Sequence, residues 1–195
     1  MTKYQNLRFF NGASGELDFS YDSTLELWTG SIYLPKVSVG LYETANLFVF
    51  EEVVTSSGVL EYVRSILEKT PETKIYVGCD SQSYANKTIY VITVVFRYDK
   101  RGAHVIYKRE VVPKVKDLWT KLWGELQRSI DIAGYLRIEG GINIHQIDLD
   151  YNNNPKHKSN VIVKTAIGYM ESLGYNYAIK PETLIAISVA NDLCR

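Results

Sequence analysis

Cysteine is scarce in this chain, net charge is absent, and no hydrophobic run is long. Only two cysteines occur, Cys79 and Cys194. They form no metal-binding spacing and no disulfide framework. Lysine plus arginine total 22, and aspartate plus glutamate total 22. Such a balance gives none of the general attraction for nucleic acid that a strongly basic surface provides, though it leaves room for a local basic groove beside an acidic site. No stretch approaches the roughly 18 consecutive apolar residues that span a bilayer, so no membrane partner is expected. The opening MTKYQNLRFFNG lacks the apolar core of a secretory signal. These absences lead us to expect a soluble protein of a reducing compartment, the cytoplasm. There is no internal repeat or low-complexity segment.

What is present is 195 residues of ordinary apolar content, enough for one substantial domain with an appended piece. Residues 1–55 are rich in Tyr, Phe, Thr, Ser and Gly, and alternate in Thr24–Trp28 and Ser31–Leu34. That texture predicts a β-rich N-terminal extension packing on a core of residues 56–195. Ala45–Val54 is apolar and reads equally as strand or helix. Val59, Leu60, Val63, Ile66 and Leu67 recur at helical spacing before Thr70-Pro71, predicting a helix over Ser57–Lys69.

The stretch KIYVGCDSQ, Lys74–Gln82, organises the remainder. Ile75, Tyr76 and Val77 favour a strand, and alternation puts Tyr76, Gly78 and Asp80 on one face. Gly78 leaves room for a backbone or ligand to approach, and Asp80 ends the strand before a polar turn, SQSYANK. Strands over Thr88–Arg97 and Ala103–Val112, joined by the turn Asp99–Gly102, complete a meander. A long helix over Val115–Tyr135 follows, then a strand over Ile142–Leu149. Next come a helix capped by Ser159 or Asn160, a short strand over Tyr175–Lys180, and a final helix that Pro181 starts. The order predicts an α/β fold with the later strands parallel to the first.

Several acids fall where strands end or helices bury a face. Glu125 lies at the edge of the stripe Leu118, Leu122, Leu126, Ser129, Ile130 and Ala133. Asp192 shares a face with Ser188 and Ile185 near a helix C-terminus, where burial and the helix dipole both disfavour a carboxylate. Asp148 and Asp150 close INIHQIDLD, and either reaches Asp80 if the two strands are neighbours. Singly, each acid also fits a plain role: a turn, a solvated helix flank, a frayed terminus. Together, acids from two adjacent strands and two helices would make a cluster whose repulsion calls for divalent cations.

That arrangement resembles the ribonuclease H-like superfamily, specifically its YkuK-like branch. The resemblance covers roughly Lys74–Arg195. It rests on Gly78-Cys79-Asp80-Ser81-Gln82, Leu122-Trp123-Gly124-Glu125, Asp150-Tyr151-Asn152 through Lys158-Ser159-Asn160, Gly174-Tyr175, Lys180-Pro181-Glu182, and Ser188-Val189-Ala190-Asn191-Asp192. It implies a mixed five-stranded sheet of order 3-2-1-4-5, strand 2 antiparallel, flanked by helices. It also implies a site of four carboxylates: Asp80, Glu125, Asp150 and Asp192. Asp148 is a rival ligand, because the segment His145–Asp150 is longer than the family's usual His-to-Asp spacing.

In related nucleases two Mg²⁺ or Mn²⁺ ions roughly 4 Å apart bind between such acids and drive phosphodiester hydrolysis. The implied activity is a metal-dependent nuclease acting on RNA, RNA–DNA hybrid or structured DNA. Asp80 would bridge the ions. Ser81 and Gln82 could donate to phosphate or sugar, or simply close the turn. Lys156, His157 and Lys158 could meet phosphate, or stand in a solvated loop, and Ser188 is a further candidate contact. Trp119 and Trp123 read as packing against the N-terminal piece rather than as a stacking surface, and His104 and His145 as structural. Two other classes stay open: a non-catalytic nucleic-acid- or protein-binding module on the same scaffold, and an assembly protein using the aromatic N-terminal segment. The sequence leaves oligomeric state open.

Overall fold

The structure, a computed structural model, describes the backbone of residues 2–8, 14–22, 27–33, 47–50, 56–98 and 102–194, with side chains from residue 58 onward. The chain forms two compact units, residues 1–74 with 96–107, and residues 75–95 with 108–195.

The first unit holds β1 (Thr2–Arg8), β2 (Ser14–Asp22) and β3 (Leu27–Tyr33), an antiparallel sheet in that order. The expected β-rich extension is therefore present. Gly30 lies inside β3, opposite Phe19. The side chains that would pack this extension on a core, and most of the Asp99–Gly102 turn, lie outside the described residues. Within Ala45–Val54, strand wins over Leu47–Phe50, β4, which pairs in parallel with the start of β7 (Gly102–Pro113). Helix α1 (Ser56–Lys69) buries Val59, Tyr62, Val63 and Ile66. Tyr62 and His104 share a 2.7 Å hydrogen bond, and Phe96 packs edge-on against both rings. Burial pushes the His104 imidazole down to about 3. A neutral imidazole sealed among rings is a structural histidine, as the sequence reading had it.

The main sheet runs in the order β4-β7-β6-β5-β8-β9, with β5 (Lys74–Ser83), β6 (Lys87–Tyr98), β8 (Gln146–Asn152) and β9 (Tyr177–Lys180). Without β4 this is the mixed 3-2-1-4-5 sheet, made with four helices. Three-residue connections force β6 to run antiparallel to β5 and β7, whereas β8 and β9 run parallel to their neighbours.

Helix α2 spans Leu118–Ile138, three residues later than the apolar pattern suggested. Asp117 caps it, its carboxylate accepting from the Thr120 amide and hydroxyl at 2.7 Å. Helix α3 (Asn160–Ser172) begins as expected, but Ser159 makes no side-chain cap; its hydroxyl accepts from the Asn152 amide instead. Helix α4 (Ile185–Leu193) starts four residues after Pro181. The proline lies in a turn, and a different residue anchors the helix.

That residue is Asp148. It is fully buried, and its Oδ2 accepts the Ala186 amide at 2.7 Å, at the first turn of α4. Gly78 lets the helix come down onto β5: a Cβ there would lie 2.9 Å from Ala186 Cβ and 3.3 Å from the Ile187 nitrogen. The room left by Gly78 is filled by a helix rather than a ligand. Thr93 completes the seat, its hydroxyl 3.0 Å from the Ala186 carbonyl.

Candidate functional site

Register brings the acids together. Gly78 pairs with Asp148 across β5 and β8, so two residues further on Asp150 comes beside Asp80. β5 extends to Ser83, and Ser81 is buried within it rather than in a turn. Its hydroxyl donates to Oε1 of Glu125 at 2.5 Å, while its amide donates to Asp80 Oδ1 at 2.8 Å. Helix α2 is held over this end of the sheet by Tyr151 of β8, whose hydroxyl donates to the Leu122 carbonyl at 2.7 Å.

Glu125 is only 3 % exposed, more deeply buried than a helix-flank residue would be. Burial first, then the charges of Asp80 and Asp150, push its carboxyl up to about 8, against the pull of Ser81 and Lys121. At pH 7 it is mostly protonated. Its Oε2 is buried and has no hydrogen-bond partner. Burial likewise raises Asp80, with Asp150 adding to the rise and the Ser81 amide, Lys121 and Lys180 opposing it. Asp150 Oδ1 accepts no hydrogen bond of ordinary geometry but is ion-paired with the Lys180 ammonium.

Lys121 and Lys180 both act on Asp80, Lys121 also on Glu125, and Lys180 is ion-paired with Asp150, so two basic side chains serve this group of three acids. Neither lysine was given a role from the sequence, although Lys180 stands in one of the segments that carry the resemblance. Lys121 was readable, four residues before Glu125 and so on the same helix face. Lys180 stands at the end of a strand whose neighbour only the topology reveals.

Asp148 is turned to other work. Gln146 Nε2 donates to its Oδ1 at 2.8 Å and the Ala186 amide of α4 to its Oδ2. Burial raises it to about 6, and those N–H donors only partly offset the rise. Asp192 is exposed near the end of α4; the buried residues of that helix are Ala186, Ile187, Val189 and Ala190, with Cys194 buried at its C-cap. The desolvation expected of Asp192 is absent, because helical spacing places it off that buried face. The end of α4 nevertheless reaches the site: Cys194 Sγ donates to the Asp80 carbonyl at 3.4 Å, and Tyr84 Oη donates to the Cys194 carbonyl at 2.9 Å.

Gln82 is exposed, and Ser188 donates to the Leu184 carbonyl of its own helix at 2.6 Å. Lys156, His157 and Lys158 are exposed in the β8–α3 loop, which Asn152 and Asn154 shape by accepting from backbone amides. Trp119 is 39 % exposed, so it is not a core residue. It stacks on Trp123, which stacks on Tyr169 of α3. His145 packs edge-on against Tyr76.

Among the described residues, no group of three or more His, Cys, Asp and Glu side chains is already drawn together as a metal cage. The donor chemistry still suits a hard divalent cation, since every donor is a carboxylate oxygen and one of them, Glu125 Oε2, is buried without a partner. No described helix is long and apolar enough to cross a membrane.

No protein with a curated description matches the chain. A family model described as ribonuclease H-like matches residues 51–195. With that match over most of its length, and the 3-2-1-4-5 sheet that carries the acids, the chain belongs to the ribonuclease H-like family, in its YkuK-like branch.

Proposed function

We propose that the protein is a divalent-metal-dependent nuclease, hydrolysing phosphodiester bonds of RNA, RNA–DNA hybrid or structured DNA, within a catalytic domain of residues 56–195. The observation that carries this reading is the coupling of Asp80, Glu125 and Asp150 around a buried, unpartnered carboxyl oxygen. Proteins keep such an oxygen away from water only at a cost of roughly 1–3 kcal/mol. A site that awaits a cation accounts for it.

Bound Mg²⁺ or Mn²⁺, two ions in this reading, would supply a nucleophilic water and charge stabilisation at the leaving oxygen. Asp80, Glu125 and Asp150 would hold the ions, with Asp192 joining from the exposed flank of α4. Ser81 fixes Glu125 Oε1 and so aims Oε2. Because the Ser81 hydroxyl is committed to that task, phosphate contact falls to Gln82 and to Lys156 and Lys158. Asp148, with both oxygens engaged, positions α4. Two free buried thiols suit a reducing compartment such as the cytoplasm.

The ion pair that occupies Asp150 favours a second reading, a non-catalytic module that binds nucleic acid through the same scaffold. The test is incubation of the full chain with labelled RNA, RNA–DNA hybrid and a DNA junction in Mn²⁺. Cleavage of at least one, lost in Asp80→Asn, is expected. Binding without cleavage at any dose would leave the second reading standing instead.

A further inference from the structure

We infer that Lys180 is the resident counter-ion of the carboxylate cluster, and that a divalent cation enters by displacing its ammonium from Asp150. This rests on the metal-dependent reading above and adds a displacement step to it. Lys180 is ion-paired to Asp150 Oδ1 and also acts electrostatically on Asp80, so one ammonium serves the acids of two adjacent strands. Lys121 acts on the same cluster from α2 through Asp80 and Glu125, yet the ion pair is made by Lys180. Lys180 comes from the end of β9, a four-residue strand beside β8, and its side chain is half exposed, so it can swing into water without unfolding anything. Glu125 Oε2, buried and unpartnered, marks the side of the cluster that this lysine leaves unserved.

The consequence is a lowered metal affinity. Cation uptake must break a native ion pair, so the tethered ammonium weakens the apparent metal affinity by a constant factor set by the strength of that pair. A partly exposed pair of this kind has a modest strength. Its removal should therefore tighten metal binding by about three- to fivefold.

Mn²⁺ is titrated by calorimetry into the full chain, Lys180→Met and Lys180→Arg, and thermal unfolding is followed with and without Mn²⁺. Lys180→Met should bind about three- to fivefold more tightly than the natural chain, and its Tm should be lower without Mn²⁺ and rise further with it. Lys180→Arg, which keeps the charge, should stay within about twofold of the natural chain. Equal or weaker binding by Lys180→Met, or an equal gain in Lys180→Arg, would overturn the displacement while leaving the metal-dependent reading intact. If neither the natural chain nor Lys180→Met takes up Mn²⁺ at millimolar concentration, both fall together.

Discussion

The Ser81 hydroxyl lies 2.5 Å from Glu125 Oε1, joining the end of β5 to the second turn of α2 across 44 residues of chain. This bond fixes one oxygen of a buried carboxyl and leaves the other unengaged. It also pulls the Glu125 pKa down while burial and two neighbouring acids push it up.

Removing that hydroxyl should therefore do two things. Ser81→Ala is expected to destabilise the fold by about 1–3 kcal/mol, the range for stranding a buried polar atom. It should also raise the Glu125 pKa further. Urea unfolding measures the first effect, and carboxyl NMR titration of the metal-free protein the second. An unchanged pKa would show that the bond does not position the acid.

Glu125 also sets a pH dependence with an unusual sign. Its carboxyl rises from an ordinary 4.5 to about 8 on folding, so the folded state holds the proton more tightly. Protonation then favours folding: this contribution is complete below pH 4.5 and is lost as pH rises through about 8. Metal-free protein should lose Tm over that window, and Glu125→Gln should flatten the loss. At pH 7, Mn²⁺ binding should also release about one proton, seen as a dependence of calorimetric heat on buffer ionisation enthalpy.

The two acids of β8 should separate cleanly. Asp148→Ala removes the anchor of α4 and is expected to cost about 2 kcal/mol or more, with lowered Tm whether or not metal is present. Asp150→Asn loses only a partly exposed ion pair, so its metal-free stability should change by less than about 1 kcal/mol. Its Mn²⁺ affinity should collapse. The reverse pattern would exchange their roles.

Gly78 tests how α4 is seated. Gly78→Ala places a methyl 2.9 Å from Ala186 Cβ, against backbone that cannot move aside freely. Overpacking of this kind costs about 1–3 kcal/mol. Amide exchange should quicken in α4 more than in α2, and uniform quickening would contradict a local clash.

Much of this was legible in the sequence for physical reasons. Apolar periodicity and turn residues locate the strands and helices along the chain, whereas the 3-2-1-4-5 sheet order is what the resemblance to the ribonuclease H-like superfamily implies. The choice between Asp148 and Asp150 could not be read, since period-2 alternation puts both on one side. It turns on which one meets the N-terminus of α4, and Pro181 gave the wrong start for that helix. Lys180 was read only as part of the Lys180-Pro181-Glu182 segment. Its pairing with Asp150 escaped because that partner is set by the β8–β9 pairing, and a charged residue at a strand end looks like any solvated lysine. Asp192 was placed on an apolar stripe shared with Ile185 and Ser188, with a frayed, solvated terminus as the plain alternative, and the structure leaves it exposed. Gly78 instead brings Ala186 and Ile187 down onto the sheet.

The most direct measurement is anomalous diffraction from a crystal grown with Mn²⁺. The account predicts manganese peaks bonded to Asp80, with Glu125 and Asp150 oxygens at roughly 2.0–2.2 Å and the Lys180 ammonium turned away. Manganese bound elsewhere, or none while Lys180 still holds Asp150, would contradict it.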